Sequence, residues 1–242
     1  KQKIYKSSSL ASQNLSLDEE LTRILIDQQL VEAGWQADTQ QCVYEKGTRP
    51  EKGVNRAIAE WPTEYQGQKG RADYVLFHGL TPIAVVEAKR ENANVAGKIP
   101  QAQRYAKGFK IQPPLQGAWL TQGKPSAWDE DYQIPFVYSC NGRPYIPQLA
   151  EQSGTWFRDV REPNNLARPL QQFHTPDGLL DLLKRSKEQA EQGLQQEGFA
   201  YLKLRDYQQK AISAVENALA HHQRNCLLAM ATGTGKTRTI IG

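Results

Sequence analysis

The stretch RADYVLFHGLTPIAVVEAKR, residues Arg71–Arg90, predicts a β-hairpin that ends in charged residues. In its second arm, alternate residues from Ile83 to Lys89 share one face of a strand, because side chains alternate with a two-residue period. Both faces begin apolar, which is typical of a strand in the middle of a sheet, where Glu and Lys are rare unless they are paired or bind a metal. Glu87 and Lys89 therefore require an explanation.

The pairing of the two arms is expected to bring a second carboxylate to this point. A five-residue loop, His78–Pro82, is short enough to join the arms of a hairpin. Symmetrical pairing would set Phe77 opposite Ile83. It would also set Asp73 opposite Glu87, at the distance of about 5 Å that separates directly opposed residues. Two carboxylates so close repel each other unless a cation lies between them.

Asp73, Glu87 and Lys89 form a pattern suited to metal-assisted cleavage of a phosphodiester. Two carboxylates and a backbone carbonyl are hard oxygen ligands of the kind that Mg²⁺ prefers. The metal would lower the pKa of a bound water and neutralise charge on the phosphate, while the ammonium group would orient the water or stabilise the developing anion. The alternative interpretation is a solvated Glu and Lys ladder at the end of a strand.

The same three residues resemble the PD-(D/E)xK signature of the restriction-endonuclease-like nuclease superfamily, in which Asp precedes Glu or Asp, any residue, and Lys on the next strand. The resemblance implies an α/β fold with a mixed sheet flanked by helices. It also implies Mg²⁺ held by Asp73 and Glu87. A helix carboxylate often joins this site in the superfamily, which makes Glu19 or Glu20 a further candidate.

Composition bounds the possible functions. The 242 residues are 39% hydrophobic and 23% charged, which is typical of a globular protein, and the net charge of +4 permits a nucleic-acid partner without requiring one. Cys42, Cys140 and Cys226 form no C-x-x-C pair, which argues against a disulfide framework or zinc site and favours the cytoplasm. No apolar run predicts a membrane span. Since the chain begins without Met and stops within an expected helix, we expect a piece of a longer protein.

Hydrophobic periodicity and turn residues predict the other elements. The expected elements are a helix over Ser16–Ala33, strands over Cys42–Glu45, Gln116–Thr121 and Pro135–Cys140, a strand-like stretch before Trp61, a mobile loop over Glu64–Gly70, a helix from Pro100, and one exposed helix or two short ones over Leu179–Gly198. The expected domains are a nuclease domain over residues 1–158, a linker with a helix over residues 159–198, and the start of a second domain over residues 199–242.

Polar side chains near the hairpin are candidates for contact with substrate. Gln101 and Tyr105 are four residues apart and share a helix face, where they could hold a DNA backbone or the attacking water without competing for the metal. The alternative is an ordinary amphipathic helix with a half-buried Tyr. Lys69 and Arg71 are candidates for phosphate contacts, although solvated surface is the default interpretation.

A more specific resemblance follows from the hairpin and the Q-x-x-x-Y motif that Gln101 and Tyr105 form. Together they resemble the nuclease domain of the motor subunit of type I restriction enzymes. The helix over Thr22–Trp35 is similar to the opening helix of that family, and the stretch FVYSCNGR resembles its final nuclease strand, with Cys140 in place of the usual Thr.

The last part of the chain predicts a nucleotide site. A helix over Arg205–His221 precedes CLLAMATGTGKT, which predicts a buried strand followed by a glycine-rich turn. Ala231–Thr237 fits a phosphate-binding loop, in which glycines let backbone N–H groups approach a phosphate, Lys236 contacts the outer phosphates and Thr237 binds Mg²⁺. Met230 replaces the first glycine of the stricter motif. The remaining loop residues are Thr232, Gly233, Thr234 and Gly235.

This loop and the upstream Tyr207-Gln208 pair resemble superfamily 2 helicases and translocases, with a RecA-like P-loop domain in which the Gln reads the adenine of ATP. A nuclease ahead of such a motor is the layout of the type I restriction subunit. That family works with methyltransferase and specificity subunits, moves double-stranded DNA with ATP and cleaves unmodified foreign DNA. We expect its acidic Mg²⁺-binding strand and second lobe beyond Gly242, and therefore no ATP hydrolysis by these residues alone.

Two alternatives remain open at this point. The chain could come from a type III-like restriction enzyme or a helicase motor with a nuclease-like domain. Residues 1–160 could also form a non-catalytic module that clamps DNA or docks onto a helicase.

Overall fold

The computed structural model describes residues 20–90, 93–120, 131–185, 202–221 and 225–241, together with residues 190, 192, 193, 196, 198 and 223. The chain forms two compact units, residues 1–184 and residues 185–242. Within the described residues, no helix has the length and apolar character needed to cross a lipid bilayer.

The first unit is built on a seven-stranded mixed sheet, which confirms the expected α/β class. Its strands are β1 (Gln36–Ala37), β2 (Asn55–Tyr65), β3 (Gln68–His78), β4 (Thr81–Ala88), β5 (Phe136–Cys140), β6 (Thr155–Asp159) and β7 (Arg168–Leu170). The strands lie in the sheet in chain order. β1 is parallel to β2 and β4 is parallel to β5, whereas the other neighbours are antiparallel.

Two helices of this unit position the site. Helix α1, over residues 20–32, buries Ile26 and Leu30 against the sheet, as the predicted helical period requires. Helix α2 (Ile99–Gly108) lies in the connection between β4 and β5, where a parallel pair needs a long crossover. Pro100 lies in its first turn, as predicted, because that position has no helical partner for its missing N–H.

The predicted hairpin is present, but its turn is shorter than expected. Two residues join β3 to β4, the first of them Gly79 with a φ of 59°, so the predicted five-residue loop is wrong. Phe77 pairs with Pro82 rather than with Ile83, and a register shift between Leu76 and Phe77 takes up the difference. Beyond that shift the pairing is the predicted one.

The loop predicted over Glu64–Gly70 is also wrong, because β2 and β3 continue through it. They are joined by Gln66 and Gly67, which have φ angles of 50° and 75°. Positive φ at both central residues matches the right-handed twist of the flanking strands and allows a tight hairpin. The basic residues Lys69 and Arg71 therefore lie on a regular strand.

Two further predicted strands are wrong. Over Cys42–Glu45 the structure has one isolated bridge, from Val43 to Ala59, followed by a 3₁₀ turn. Over residues 116–120, the described part of the run predicted to end at Thr121, it has a 3₁₀ helix at Ala118–Leu120. Short apolar runs are ambiguous in sequence, and here neither run gains a strand partner along its length.

The structure places residues 159–184 in the first unit, whereas the sequence predicts a linker there. Strand β7 extends the sheet, and helix α3 (Pro176–Lys184) buries Leu179 and Leu183 together with the nearby Phe173. Leu179 was expected on an exposed helix. Proline-rich composition resembles a linker, but only the fold reveals that the leucines of α3 face the core.

The second unit contains helix α4 (Asp206–Ala220), close to the predicted bounds, and helix α5 (Lys236–Ile241). The buried strand predicted before the glycine-rich turn is absent over residues 225–230, where the side chain of Leu227 is 97% exposed. A strand needs a hydrogen-bonded neighbour, and the described residues of this unit include no strand that could pair with residues 225–230.

The packing of α3 predicts a measurable loss of stability. Leu179→Ala should lower the free energy of unfolding of the 242-residue chain by about 2–5 kcal/mol, because it leaves a cavity under a fully buried side chain. Leu166→Ala is the matched control, since its side chain is 75% exposed. Chemical denaturation of both variants measures the difference. Equal stability of the two would show that α3 does not belong to the core.

Candidate functional site

A cavity of about 430 Å³ lies where the middle of β3 and the C-terminal end of β4 meet helices α1 and α2. All five nuclease-site residues predicted from the sequence line it: Asp73, Glu87, Lys89, Gln101 and Tyr105. The neighbouring pairs in the β3–β4 ladder set Asp73 at the register position opposite Glu87. These five residues, which lie up to 32 positions apart in the chain, thus share one cavity.

Asp73 is fixed by two donors. Its Oδ2 accepts a hydrogen bond of 2.8 Å from the backbone N–H of Ala88, and its Oδ1 accepts one of 2.7 Å from Nη2 of Arg23. Arg23 belongs to helix α1, so this contact joins the helix to strand β3. The carboxylate is therefore oriented before any ligand arrives.

Arg23 and Glu60 are site residues that the sequence reasoning missed. Arg23 bridges Asp73 and Glu60, and Glu60 occupies the β2 position opposite Asp73. The φ of Glu60 is 56°, in the left-handed region that non-glycine residues rarely adopt. Arg23 stands within the stretch Thr22–Trp35 that resembles the family's opening helix, but only the packing of α1 on the sheet shows where its guanidinium points.

Glu87 is buried, with 1% of its side chain exposed. Its Oε1 pairs with Nζ of Lys89, whereas its Oε2 has no hydrogen-bond partner among the described residues. Ser139 on β5 is paired in register with Glu87, and its Oγ is also buried without such a partner. An unpartnered carboxylate oxygen costs free energy in a buried site unless a ligand satisfies it.

The electrostatics of the two acids follow from this burial. The pKa of Glu87 is raised from its ordinary value of 4.5 to about 7, chiefly by burial and then by the charge of Asp73, while Lys89 opposes the rise. Burial also raises the pKa of Asp73, against the opposing effects of Arg23 and of the Ala88 N–H. The charge of Asp73 thus makes Glu87 harder to ionise, as that of Glu60 does for Asp73, and a nearby cation would relieve both acids.

The donor set fits a hard divalent cation. Asp73 and Glu87 offer oxygen ligands at one point, and the unpartnered Oε2 of Glu87 has room for a further interaction. In the described part of the chain, no three His, Cys, Asp or Glu side chains are grouped to hold a metal. Any such ion would therefore rely on two carboxylates, with backbone carbonyls, water or substrate oxygens completing its shell.

Gln101 and Tyr105 contact each other across one turn of α2. Nε2 of Gln101 donates a hydrogen bond of 3.0 Å to the hydroxyl of Tyr105, whose residue is 7% exposed. The Tyr105 ring lies against Gly70, where an added Cβ would come within 2.8 Å of the ring. Tyr105 is thus a packed residue with its polar end at the cavity, and Gln101 is the more accessible of the pair.

The helix carboxylates considered from the sequence do not line this cavity. Glu19 lies outside the described residues. Glu20 is exposed and lines a different cavity, with Asp27 and Asp38. The described α1 residues that reach the site cavity are Thr22 and Arg23, so this helix contributes a cation where a carboxylate was considered.

In the second unit, the glycine-rich turn adopts a folded loop. Gly233 and Gly235 have φ angles of 81° and 78°, which explains glycine at both positions. Nζ of Lys236 donates to the carbonyls of Met230 and Ala231 at 2.9 and 3.2 Å. Thr232 and Thr237 are exposed on either side. The lysine thus closes the loop on itself.

Gln208, which by the family resemblance would contact the adenine of ATP, packs against this glycine-rich loop. It is buried, its Oε1 accepts from the N–H of Arg205 at 2.9 Å, and its Nε2 donates to the carbonyls of Thr234 and Gly235 at 3.3 and 3.2 Å. Tyr207 adds a hydrogen bond to Thr234. Both ends of the Gln208 amide are therefore bonded within the protein.

The raised pKa of Glu87 predicts that Glu87→Gln stabilises the chain at neutral pH in the absence of metal. A carboxyl whose folded-state pKa is raised stabilises the fold while it is protonated, and this contribution is lost as pH rises from about 4.5 to about 7. At pH 8 the free energy of unfolding of the variant should exceed that of the parent by about 1–3 kcal/mol, since one pKa unit corresponds to about 1.4 kcal/mol. Chemical denaturation of both proteins in a chelator, at pH 8 and at pH 4, measures this difference.

The control for this experiment is Glu32→Gln, which changes an exposed carboxylate on α1. It should leave the difference between the two pH values unchanged. A Glu87→Gln variant that is less stable than the parent at pH 8 would contradict the buried, poorly compensated carboxylate described above.

Two protein-family models match this chain, one in each of its two units. Residues 36–183 match the family model described as the second domain of the type I restriction enzyme EcoKI endonuclease subunit. Residues 201–242 match the model described as type III restriction enzyme, res subunit.

A curated relative extends the match to nearly the whole chain. The type I restriction enzyme EcoKI endonuclease subunit of Escherichia coli (strain K12) is 44% identical over 250 residues, which cover 94% of this chain and 21% of that protein. A solved fragment of an HsdR subunit of a type I restriction enzyme from Vibrio vulnificus YJ016 is 25% identical, covering 90% of this chain and 35% of that one, with a TM-score of 0.37. The chain spans about a fifth of its curated relative, and it belongs to the family of type I restriction enzyme endonuclease subunits.

Proposed function

We propose that the first unit is the Mg²⁺-dependent DNA endonuclease domain of a type I restriction enzyme, with a PD-(D/E)xK fold and site. The observation that carries this proposal is the meeting of Asp73, Glu87 and Lys89 in one cavity, where Oε2 of Glu87 is buried without a partner. Family membership supports the same reaction. The activity, substrate and partners of the complete subunit are part of the proposal, because this chain spans about a fifth of its relative.

Each site residue has a defined task in this proposal. Asp73 and Glu87 would hold the ion, and the hydrogen bond from Ala88 keeps the Asp73 carboxylate oriented. When bound, Mg²⁺ supplies Lewis acidity and neutralises charge at the scissile phosphate. Lys89, whose Nζ already contacts Glu87, can donate a hydrogen bond to a phosphate oxygen or orient the attacking water. Gln101, supported by Tyr105, can hold the DNA backbone at the cavity mouth.

The second unit is proposed to belong to an ATP-driven DNA translocase. Thr232, Gly233, Thr234, Gly235, Lys236 and Thr237 would bind the phosphates and Mg²⁺ of ATP, and Gln208 would contact the adenine. The two glycines with positive φ support a phosphate-binding loop. Ligand binding would require Lys236 to exchange its contacts with Met230 and Ala231 for phosphate oxygens. Gln208 would likewise have to release hydrogen bonds within the protein to contact the adenine.

The proposed partners are double-stranded DNA and the methyltransferase and specificity subunits of a restriction-modification complex, which would cleave unmodified foreign DNA. The proposed location is the cytoplasm, where free Cys42, Cys140 and Cys226 would stay reduced. A type III-like motor is a second candidate because residues 201–242 match the type III model. The identity of 44% over nearly the whole chain favours type I.

The nuclease proposal predicts separate effects on cutting and on ATP turnover. In the complete restriction enzyme that contains this chain, Asp73→Ala or Lys89→Ala should reduce DNA cleavage by at least about 100-fold, since each removes a group at the reacting phosphate. ATP turnover should persist. The controls are Glu32→Ala and Lys52→Ala, which change exposed side chains outside the cavity. Unchanged cutting by the site variants would eliminate the nuclease assignment in favour of a clamping or docking module.

Metal binding can be tested without cleavage. Saturating Mg²⁺, at about 100 times its dissociation constant, should stabilise the 242-residue chain by about 2.7 kcal/mol at pH 8. The effect should weaken below pH 7, because Glu87 must lose its proton to bind the ion. Thermal unfolding with and without Mg²⁺ measures it, and Asp73→Asn should abolish the shift. A shift of equal size in that variant would place the ion elsewhere.

A further inference from the structure

A groove of about 920 Å³ adjoins the candidate site on the first unit. Four cationic side chains line it, together with one carboxylate, Glu64. The cations are Arg49, Lys69, Arg71 and Lys110. This groove, which we term the basic groove, is not used by the chemistry proposed for Asp73 and Glu87.

The cations of the basic groove are exposed, and their existing ion pairs are weak. Arg71 pairs with Glu45 at 2.6 Å and Lys110 pairs with Glu64 at 2.9 Å, with all four side chains at least 40% exposed. Such surface pairs contribute about 0–1 kcal/mol each. A polyanion could therefore replace these carboxylates at little cost. Lys69, which is also exposed, lies at the register position opposite Glu64.

The basic groove is continuous with the site cavity. Arg71 lines both, and it lies on β3 between Lys69 and Asp73. These three residues share one face of the strand, since side chains two apart point the same way. Successive members are about 6.7 Å apart along the strand. A DNA strand carries one phosphate per about 3.4 Å of duplex axis, so the row can follow a backbone over several nucleotides.

We infer that the basic groove binds the phosphodiester backbone of DNA and leads the strand to the Asp73–Glu87 cavity. This inference rests on the proposed nuclease function for the choice of ligand. The aromatic walls support binding that does not depend on base sequence: Trp61 is buried, and the Tyr44 ring is covered by the Arg49 guanidinium at 3.8 Å. Because Trp61 is buried and one face of Tyr44 is already occupied, the binding is assigned to charge rather than to stacking of bases.

Charge-driven binding has a specific signature in salt. Each phosphate contact adds about 0.9 to the slope of log affinity against log salt concentration. Removing two lysines should therefore lower that slope by about 1.8 and weaken binding by about one to two orders of magnitude at about 0.1 M salt. The variant is Lys69→Gln with Lys110→Gln, which leaves Arg71 unchanged because Arg71 also lines the site cavity.

The experiment measures fluorescence anisotropy of a short labelled duplex with the 242-residue chain, in chelator so that no cutting occurs. The matched control is Lys52→Gln with Lys184→Gln, two exposed lysines outside the groove. Thermal unfolding of both double variants checks that the fold is intact. The expected result is a reduced slope and weaker binding for the groove variant alone.

Affinity and salt slope equal to those of the control would overturn the inference and leave the groove to a protein partner. That outcome differs from failure of the nuclease proposal, which would appear as unchanged cleavage by Asp73→Ala in the complete enzyme. A groove variant that binds weakly while Asp73→Ala still cuts would support the DNA site and remove the catalytic assignment.

Discussion

The repulsion between the carboxylates of Asp73 and Glu87 is the constraint on which the site depends. Asp73 lies in the middle of β3 and Glu87 near the C-terminal end of β4, and burial denies both the hydration that would screen their charges. Arg23 and Lys89 offset part of this repulsion, Arg23 from helix α1 and Lys89 from the position directly after β4. The compensation is incomplete, because the pKa of Glu87 remains raised and its Oε2 lacks a partner. A site left in this state costs stability until a ligand satisfies it, and the proposed cation would do so.

Helices α1 and α2 hold the residues of the site cavity in position. Helix α1 is held to β3 not only through Arg23 but also through Asp27, which accepts a hydrogen bond of 2.9 Å from the hydroxyl of the buried Tyr74. Tyr74 directly follows Asp73, so the packing that fixes one residue also fixes the other. Helix α2 covers the other side of the cavity with the Gln101–Tyr105 pair. The cavity is therefore bounded by elements that lie far apart in the sequence, from Thr22 to Tyr105, which only the folded sheet brings together.

The basic groove adjoins the site cavity, and its charges would position the substrate. The site cavity continues the row of cations along β3, because its lining adds Arg23, Lys89 and Arg90 beside the two carboxylates. A polyanion is therefore attracted along this path and meets local repulsion only at Asp73 and Glu87. A divalent ion held by these carboxylates would offset that repulsion, so DNA and metal would favour each other's binding.

The local patterns in the sequence predicted the hairpin, the two acids with their lysine, and the Gln101–Tyr105 pair, because a two-residue strand period and a four-residue helix spacing depend on nearby residues alone. Tertiary structure decided what those patterns do not encode. Arg23 and Glu60 reach Asp73 through packing of distant elements, the register shift at Leu76 compensates for the shorter turn, and residues 159–184 join the core despite a composition typical of a linker. Contacts between distant residues depend on how the whole sheet assembles, and no local periodicity records them.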